Sequence, residues 1–152
     1  MNLPLEQLRR GVATVATAES LTGGQLAARW TAASGASAYF RGGLVTYATD
    51  LKIGLLGVPA SVVEEHGVVS AECAHEMADR VRALAGATYG LATTGVAGPE
   101  EQEGKPVGTV YVAVAGPGGV VVRRLALSGS RAEIQSGACD GVLELLVRQL
   151  AE

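Results

Sequence analysis

Short apolar runs alternate along this chain with segments in which apolar residues recur every three or four positions. The runs at 12–18, 40–48 and 89–94 are brief and end near Gly or hydroxyl residues, which is typical of buried strands. Two later runs, 107–115 and 120–127, flank a Gly-Pro-Gly-Gly segment that predicts a hairpin. The pattern therefore predicts five strands, and the last two are expected to be antiparallel neighbours.

Helical spacing of apolar residues fills most of the chain between these runs. The longest predicted helices begin at Ser70 and at Arg131, and shorter ones are expected at 3–10 (closed by Gly11), 25–33, 50–56 and 59–65. The apolar stripe of the helix from Ser70 comprises Ala74, Met77, Ala78, Val81, Leu84 and Ala85. Because strands and helices alternate early and a hairpin follows late, we predict an α/β layered domain. Its sheet is expected to be mostly parallel with one antiparallel strand.

Composition and charge exclude several classes of function. The 152 residues fit one domain, 1–152, and 48% of them are hydrophobic but only 4% aromatic, so Ala, Val and Leu must form the core. A net charge of −3 argues against a nucleic-acid partner, which would require a basic surface. Nothing near Met1 resembles a signal peptide, and the sequence contains no run of about 20 apolar residues. We therefore expect a cytoplasmic protein that does not contact membranes.

Cysteine and histidine spacing gives little support to a disulfide or a metal site. Cys73 and Cys139 lie far apart and form no CxxC pair, and His66 and His75 are nine positions apart. These spacings favour ordinary structural or surface residues. We therefore expect no metal ion and no other cofactor.

Two strand ends carry the residues best suited to chemistry. The segment Glu19-Ser20-Leu21-Thr22-Gly23-Gly24 follows the first strand and precedes a helix, and Thr94-Gly95-Val96-Ala97-Gly98-Pro99 follows the third. Ligand sites of α/β sheets lie at the carboxyl ends of strands. Ser20 could attack a carbonyl group there while helix N–H groups receive the oxyanion. Spacing alone favours the simpler interpretation, in which Ser20 or Thr22 caps the helix.

A serine nucleophile requires a base to accept its proton. Neither His66 nor His75 sits at a strand-to-helix turn, so a histidine base is poorly supported. Lys52 follows the second strand closely, and a lysine acts as a base where its surroundings lower its pKa. Ser20, Tyr47 and Lys52 could therefore converge at one sheet edge, although a lysine in such a position is more often solvated.

The second lysine, Lys105, lies at the end of a polar loop with three glutamates. It could neutralise an anionic ligand such as a phosphate, or it could offset the glutamates as an ordinary loop lysine. The residues alone leave both interpretations open. The sequence contains no GxxxxGK[ST] motif and no GxGxxG after a strand, so the common nucleotide-binding loops are not predicted.

Five segments together resemble the CinA C-terminal-domain family. In chain order they are Thr17–Gly24, Phe40–Tyr47, Lys52, Thr94–Pro99 and Lys105–Val110. The resemblance covers nearly the whole chain, and stand-alone members of this family are nicotinamide-nucleotide amidohydrolases. It implies a three-layer α/β/α sandwich with a mixed, mostly parallel five-stranded sheet. It also implies hydrolysis of nicotinamide mononucleotide to nicotinic acid mononucleotide and ammonia, without a metal.

The resemblance further assigns roles to individual residues. Ser20 and Lys52 match the family's catalytic pair, and Tyr47 matches a helper residue. The residues expected to bind substrate are Glu19, Thr22, Gly23, Gly24, Thr94, Gly95, Gly98, Lys105 and Arg131. The expected partner is the small nucleotide substrate, and the resemblance suggests a homo-oligomer.

One position departs from the family pattern. The family often carries Gly-Asp-Arg-x-x-Ile-Arg before its last helix, whereas this chain has Gly-Ser-Arg-Ala-Glu-Ile-Gln at 129–135. Arg131 is kept, but Gln135 stands where a second arginine is expected. If that arginine binds the substrate phosphate, affinity or substrate choice would differ in this chain.

Two alternative functions stay open on the sequence. One is a non-catalytic nucleotide-binding module with the same pocket, and the other is a Ser–Lys amidase that acts on a different amide. We also expect the larger N-terminal domain of two-domain CinA proteins, and the activity of that domain, to be absent.

Overall fold

The computed structural model describes residues 2–152 as one five-stranded sheet flanked by helices. The strands are β1 (Val15–Glu19), β2 (Phe40–Val45), β3 (Tyr89–Gly95), β4 (Thr109–Gly116) and β5 (Gly119–Ala126). The helices are α1 (Leu5–Gly11), α2 (Gln25–Thr31), α3 (Thr49–Gly54), α4 (Ala60–His66), α5 (Ala71–Ala85) and α6 (Arg131–Leu150), and a short 3₁₀ turn spans Ala36–Ala38. The predicted alternation of strands and helices and the late hairpin are confirmed.

The strand order in the sheet is β2-β1-β3-β4-β5. Strand β1 lies between β2 and β3 and is parallel to both, whereas β4 is antiparallel to its neighbours β3 and β5. The predicted mostly parallel sheet with one antiparallel strand is therefore confirmed. Because β1, β2 and β3 run in the same direction, the turns that follow them meet at one edge of the sheet.

Each face of the sheet packs on its own layer of helices. Successive strand residues point to opposite faces, so Val15, Leu91 and Val112 pack with α6 on one side, and Ala16, Ala18 and Ala92 pack with α5 on the other. The small alanine face lets α5 approach the sheet closely. Two buried clusters on opposite faces confirm the three-layer α/β/α sandwich.

The first strand begins three residues later than its apolar run predicts. Val12 is the C-cap residue directly after α1; it is 89% exposed and adopts a left-handed conformation (φ 50°). Its N–H donates to the Arg9 carbonyl at 3.1 Å. The backbone therefore completes the end of the helix before it can extend, and β1 starts at Val15.

The second strand and the stripe of α5 also differ from prediction. Strand β2 ends at Val45 rather than at position 48, and its continuation leaves the sheet toward α3. On α5, Leu84 is 54% exposed, because the buried stripe passes from Val81 to the half-buried Ala85 and leaves Leu84 on the outer side. The stripe through Ala74, Met77, Ala78 and Val81 is confirmed.

Both cysteines are buried free thiols, one on each side of the sheet. Burial raises the pKa of Cys73 to about 11 and that of Cys139 to about 12. Within residues 2–152 no group of three or more His, Cys, Asp or Glu side chains is placed to hold a metal ion. No helix in the same range is both long enough and apolar enough to span a membrane.

Candidate active site

Ser20 and Lys52 come together at the carboxyl edge of the sheet. Ser20 directly follows β1, and its N–H donates to the Thr93 carbonyl of β3 at 3.0 Å, which fixes its main chain. Lys52 lies on α3, and its Nζ is 3.0 Å from Ser20 Oγ. The convergence predicted for these two side chains is therefore present, across 32 positions of sequence.

Lys52 is buried, with only 1% of its surface exposed. Besides Ser20 Oγ, its Nζ contacts the carbonyl oxygens of Thr46 at 2.7 Å and Tyr47 at 3.1 Å. Burial lowers the pKa of Lys52 below its ordinary 10.5, and negative charge on Cys73 or Glu103 opposes that shift. Most lysines in such positions are solvated, but Lys52 is shielded from solvent.

The three oxygens around Lys52 Nζ can accommodate either protonation state, and burial favours the neutral amine. A neutral amine carries two N–H groups and one lone pair, whereas an ammonium carries three N–H groups. When Lys52 is neutral, its two N–H groups can donate to the carbonyls of Thr46 and Tyr47. The lone pair is then left for the hydroxyl proton of Ser20, which is the arrangement that a general base requires.

Glu19 organises the turn that carries Ser20. Its fully buried carboxylate accepts hydrogen bonds from the Thr22 hydroxyl at 2.6 Å, the Leu26 N–H at 2.8 Å and the Ala27 N–H at 3.0 Å. Among the side chains of this turn, Glu19 rather than Ser20 or Thr22 therefore satisfies the second and third N–H groups of α2, and the Gln25 N–H donates to the Thr22 carbonyl at 2.9 Å. The simple capping role considered for Ser20 is not what the structure shows, and its hydroxyl contacts Lys52 instead.

A cavity of about 410 Å³ opens in front of Ser20. Its lining includes five of the residues predicted from sequence: Ser20, Tyr47, Gly95, Gly98 and Arg131. It also includes Leu21, which follows the nucleophile, and Val96, Ala97 and Pro99 of the segment Thr94–Pro99 that the resemblance places in the substrate pocket. Glu100, Glu101 and Gln102 complete the lining and had no predicted role. Neither histidine is part of this lining. His66 and His75 line a separate groove beside α4 and α5.

Several residues predicted to bind substrate lie outside this lining: Glu19, Thr22, Gly23, Gly24, Thr94 and Lys105. Glu19 and Thr22 are fully buried beneath the turn, where they bond to each other. Gly23 and Gly24 have positive φ angles of 56° and 102°, a conformation that glycine adopts without strain. In this structure these four residues shape the turn that presents Ser20 to the cavity.

Thr94 and Lys105 hold the segment between α4 and α5. The Thr94 hydroxyl donates to the Val68 carbonyl at 2.7 Å, and Lys105 Nζ donates to the Val69 carbonyl. The Glu103 carboxylate accepts from the N–H groups of the same two valines at 3.0 and 2.8 Å and lies 4.0 Å from Lys105. Of the two interpretations of Lys105, the structure favours the loop lysine that offsets a glutamate.

Arg131 joins two walls of the cavity at its rim. Its guanidinium donates to the hydroxyl of Tyr47 at 3.0 Å and to the carbonyl of Gly98. Tyr47 follows β2 and Gly98 follows β3, so Arg131 bridges the segments that leave the two strands on either side of β1. Tyr47 is 59% exposed and reaches Lys52 through its main-chain carbonyl.

Sequence reasoning missed the acidic part of the wall. Glu100 and Glu101 line the cavity together with Gln102, and both glutamates are exposed. A signal was present, because these residues follow Thr94–Pro99 without interruption at the carboxyl edge of the sheet. The wall therefore combines two carboxylates with one guanidinium, that of Arg131.

The fold and the site define an α/β protein in which a buried Ser–Lys pair opens into a cavity at the carboxyl edge of a mixed sheet. The family model described as the CinA C-terminal domain matches residues 2–150. The chain belongs to the CinA C-terminal domain family.

Proteins of known sequence agree with this assignment. A CinA-like protein of Frankia casuarinae is 53% identical over 139 residues, which are 91% of this chain and 32% of that protein. A CinA-like protein of Citrifermentans bemidjiense is 46% identical over 144 residues, or 94% of this chain and 35% of that protein. The chain thus spans about a third of the length of these relatives.

Solved structures share the whole fold. The competence damage-inducible protein A of Klebsiella pneumoniae superposes with a TM-score of 0.94 and 35% identity, covering 97% of this chain and 92% of that one. The competence/damage inducible protein CihA of Agrobacterium tumefaciens gives a TM-score of 0.87 and 34% identity, covering 97% and 94%. The sheet and its helical layers are therefore those of the family.

Proposed function

We propose that this protein hydrolyses the carboxamide of nicotinamide mononucleotide, giving nicotinic acid mononucleotide and ammonia. The observation that carries the proposal is the 3.0 Å contact between Ser20 Oγ and the buried Nζ of Lys52. The family resemblance supplies the substrate, and the Ser–Lys pair supplies the means to cleave an amide without a metal.

In the first half of the reaction, neutral Lys52 takes the proton of Ser20. The Oγ atom attacks the carboxamide carbon and forms a tetrahedral intermediate. Protonated Lys52 then gives its proton to the amide nitrogen, the C–N bond breaks, and ammonia leaves an ester on Ser20. In the second half, Lys52 takes a proton from water, the hydroxide attacks the ester carbon, and Ser20 leaves with the proton that Lys52 returns.

A backbone donor for the oxyanion lies next to the nucleophile. Leu21 follows Ser20 and lines the cavity, and its N–H donates to no acceptor within residues 2–152. We assign the oxyanion to this N–H group, because a fixed backbone donor stabilises developing charge effectively. Tyr47 is assigned the role of a helper in proton transfer to the departing ammonia.

The charges of the wall suit a substrate that is positive at one end and negative at the other. The pyridinium ring of nicotinamide mononucleotide carries a positive charge close to its carboxamide, and the phosphate is negative. Glu100 and Glu101 offer carboxylates for the ring, and Arg131 offers a guanidinium for the phosphate. Opposite charges placed in this way favour specificity and rapid encounter.

The test compares Ser20→Ala and Lys52→Ala with wild type in an assay of ammonia release. Lys52→Ala should lower the rate by about 10²–10⁴-fold, the usual contribution of a proton-transfer group, and Ser20→Ala should lower it at least as much because the nucleophile is removed. Ser61→Ala is the matched control, because Ser61 is exposed on α4 and outside the cavity lining. Near-normal ammonia release from either active-site variant would overturn the mechanism.

The choice of substrates separates this proposal from its alternatives. Nicotinamide mononucleotide, its riboside and free nicotinamide should rank in that order for kcat/KM. Saturable thermal stabilisation by the nucleotide without ammonia would indicate a nucleotide-binding module instead. Equal activity on simple amides would indicate a general Ser–Lys amidase.

A further inference from the structure

Helix α6 contacts the active site from two consecutive turns. Arg131 reaches the rim, and Gln135, four residues later, faces the turn that carries the nucleophile. The Nε2 atom of Gln135 donates to the carbonyl oxygen of Leu21 at 2.9 Å, across 114 positions of sequence. Gln135 is not part of the cavity lining, so its amide acts on the protein rather than on a ligand.

The two peptide groups that follow Ser20 are each held by a hydrogen bond to their carbonyl oxygen. The carbonyl of Ser20 accepts from the Gly23 N–H at 3.1 Å, and that of Leu21 accepts from Gln135. The first of these peptides carries the Leu21 N–H, the proposed oxyanion donor. Both peptides that flank the α-carbon of Leu21 are therefore held by hydrogen bonds.

We propose that Gln135 is a positioning residue for the hydrolytic reaction: it holds Leu21 so that its N–H points to the oxyanion beside Ser20. This inference rests on the proposed function. An oxyanion donor is effective only when its direction is fixed before the reaction, and small misplacements of catalytic groups reduce rates strongly. Gln135 thus stands where the family pattern has an arginine, and its neutral amide serves the nucleophile turn rather than the substrate phosphate.

The first experiment compares Gln135→Ala, Gln135→Arg and wild type for kcat and KM with nicotinamide mononucleotide. Gln135→Ala should lower kcat by about 10- to 100-fold while KM changes by less than about threefold, because a transition-state contact is lost and no substrate contact is. Gln135→Arg should recover most of kcat, because its N–H groups can also donate to the Leu21 carbonyl. Gln149→Ala, at the far end of α6, is the matched control.

The second experiment measures Ser20 without the amide substrate. A fluorophosphonate forms a bond between Ser20 Oγ and phosphorus and releases fluoride, while Lys52 takes the hydroxyl proton. Its P–O group occupies the place of the oxyanion, so labelling should slow in Gln135→Ala by a similar factor and recover in Gln135→Arg. Thermal unfolding of the same variants identifies any general loss of structure.

The outcomes separate the two proposals. Labelling of wild type without ammonia release would overturn the proposed function, and the labelling rates of the variants would still decide the role of Gln135. An unchanged kcat and labelling rate in Gln135→Ala would overturn the positioning role, as would a rise in KM alone. The positioning role would also be overturned if kcat and the labelling rate fell in parallel with the melting temperature and Gln135→Arg did not recover them. A wild-type protein that neither reacts with the fluorophosphonate nor releases ammonia would overturn it as well.

Discussion

The phenolic oxygen of Tyr47 accepts a hydrogen bond from the guanidinium of Arg131 at 3.0 Å, although 84 positions separate the two residues. Tyr47 also contacts Lys52, but through its main-chain carbonyl at 3.1 Å. The phenol and the backbone of one residue therefore serve different parts of the site. A substitution that removes only the hydroxyl can distinguish them.

Tyr47→Phe should lower kcat/KM for nicotinamide mononucleotide by about tenfold, because Arg131 loses the hydrogen bond that its charged guanidinium donates to the phenol. The Lys52 environment should persist, since the carbonyl of residue 47 is unchanged. The measurement is steady-state ammonia release beside Lys52→Ala, which should lose far more. If Tyr47→Phe were as inactive as Lys52→Ala, the hydroxyl would have a larger role in proton transfer than a helper.

The pH dependence of kcat/KM should report the protonation of Lys52. A protonated lysine cannot take the Ser20 proton, so activity should be low at acidic pH and rise as pH increases through the pKa of Lys52. Because burial lowers that pKa, the rise should be centred below 10.5. Lys52→Arg serves as the control: it keeps a positive charge that is not lost in this range.

Lys52→Arg should therefore be inactive at every pH, with no rising limb. A rising limb at the wild-type position in Lys52→Arg would show that another group controls the reaction. A rise in wild-type kcat/KM with its midpoint at or above pH 10.5 would contradict a pKa of Lys52 that burial lowers.

The two carboxylates on the wall should contribute to recognition of the positive ring. The double variant Glu100→Gln and Glu101→Gln should raise KM for nicotinamide mononucleotide by about tenfold at low salt, and less at high salt because exposed charges are screened. Glu64→Gln with Glu65→Gln is the matched control, since it changes net charge equally on exposed positions of α4. The same KM increase in the control pair would assign the effect to overall charge.

Glu19 should matter for stability more than for substrate affinity. Glu19→Gln keeps the shape but weakens three hydrogen bonds to a buried carboxylate, so the free energy of unfolding should fall by about 1–3 kcal/mol. KM should stay close to the wild-type value, because the cavity lining does not include Glu19. Denaturant unfolding and steady-state kinetics on one preparation give both quantities. A large increase in KM with unchanged stability would restore the substrate-binding role suggested by the resemblance.

Much of the fold and the central pair of the site could be predicted from the sequence. Parallel strands place their carboxyl ends at one edge, so Ser20 after β1 and Lys52 after β2 had to be near each other. The hairpin followed from its Gly-Pro-Gly-Gly turn. The ends of β1 and β2 were less predictable, because Val12 completes a helix and residues 46–48 leave the sheet although all are apolar or β-strand-forming types.

The roles of residues that contact only protein could not be predicted from spacing. Glu19 lies next to Ser20 in sequence, but alternation along β1 turns its side chain to the opposite face, where α2 begins. The partners of Thr94 and Lys105 lie 26 and 36 positions away, in a connection whose path no local pattern defines. For Gln135 the sequence showed a departure from the family, and only the contact with Leu21 indicates what the amide does.

The contacts that Arg131 and Gln135 of α6 make with the cavity walls and the Ser20 turn also affect the order in which the site can be completed during synthesis. Arg131 and Gln135 belong to the element that leaves the ribosome after every other part of the cavity, and Tyr47 emerges 84 residues earlier than Arg131. At typical translation speeds this interval lasts roughly 4–17 s. Under the proposed function, a growing chain holds Ser20 and Lys52 before α6 completes the cavity, and ammonia release would report that α6 has docked.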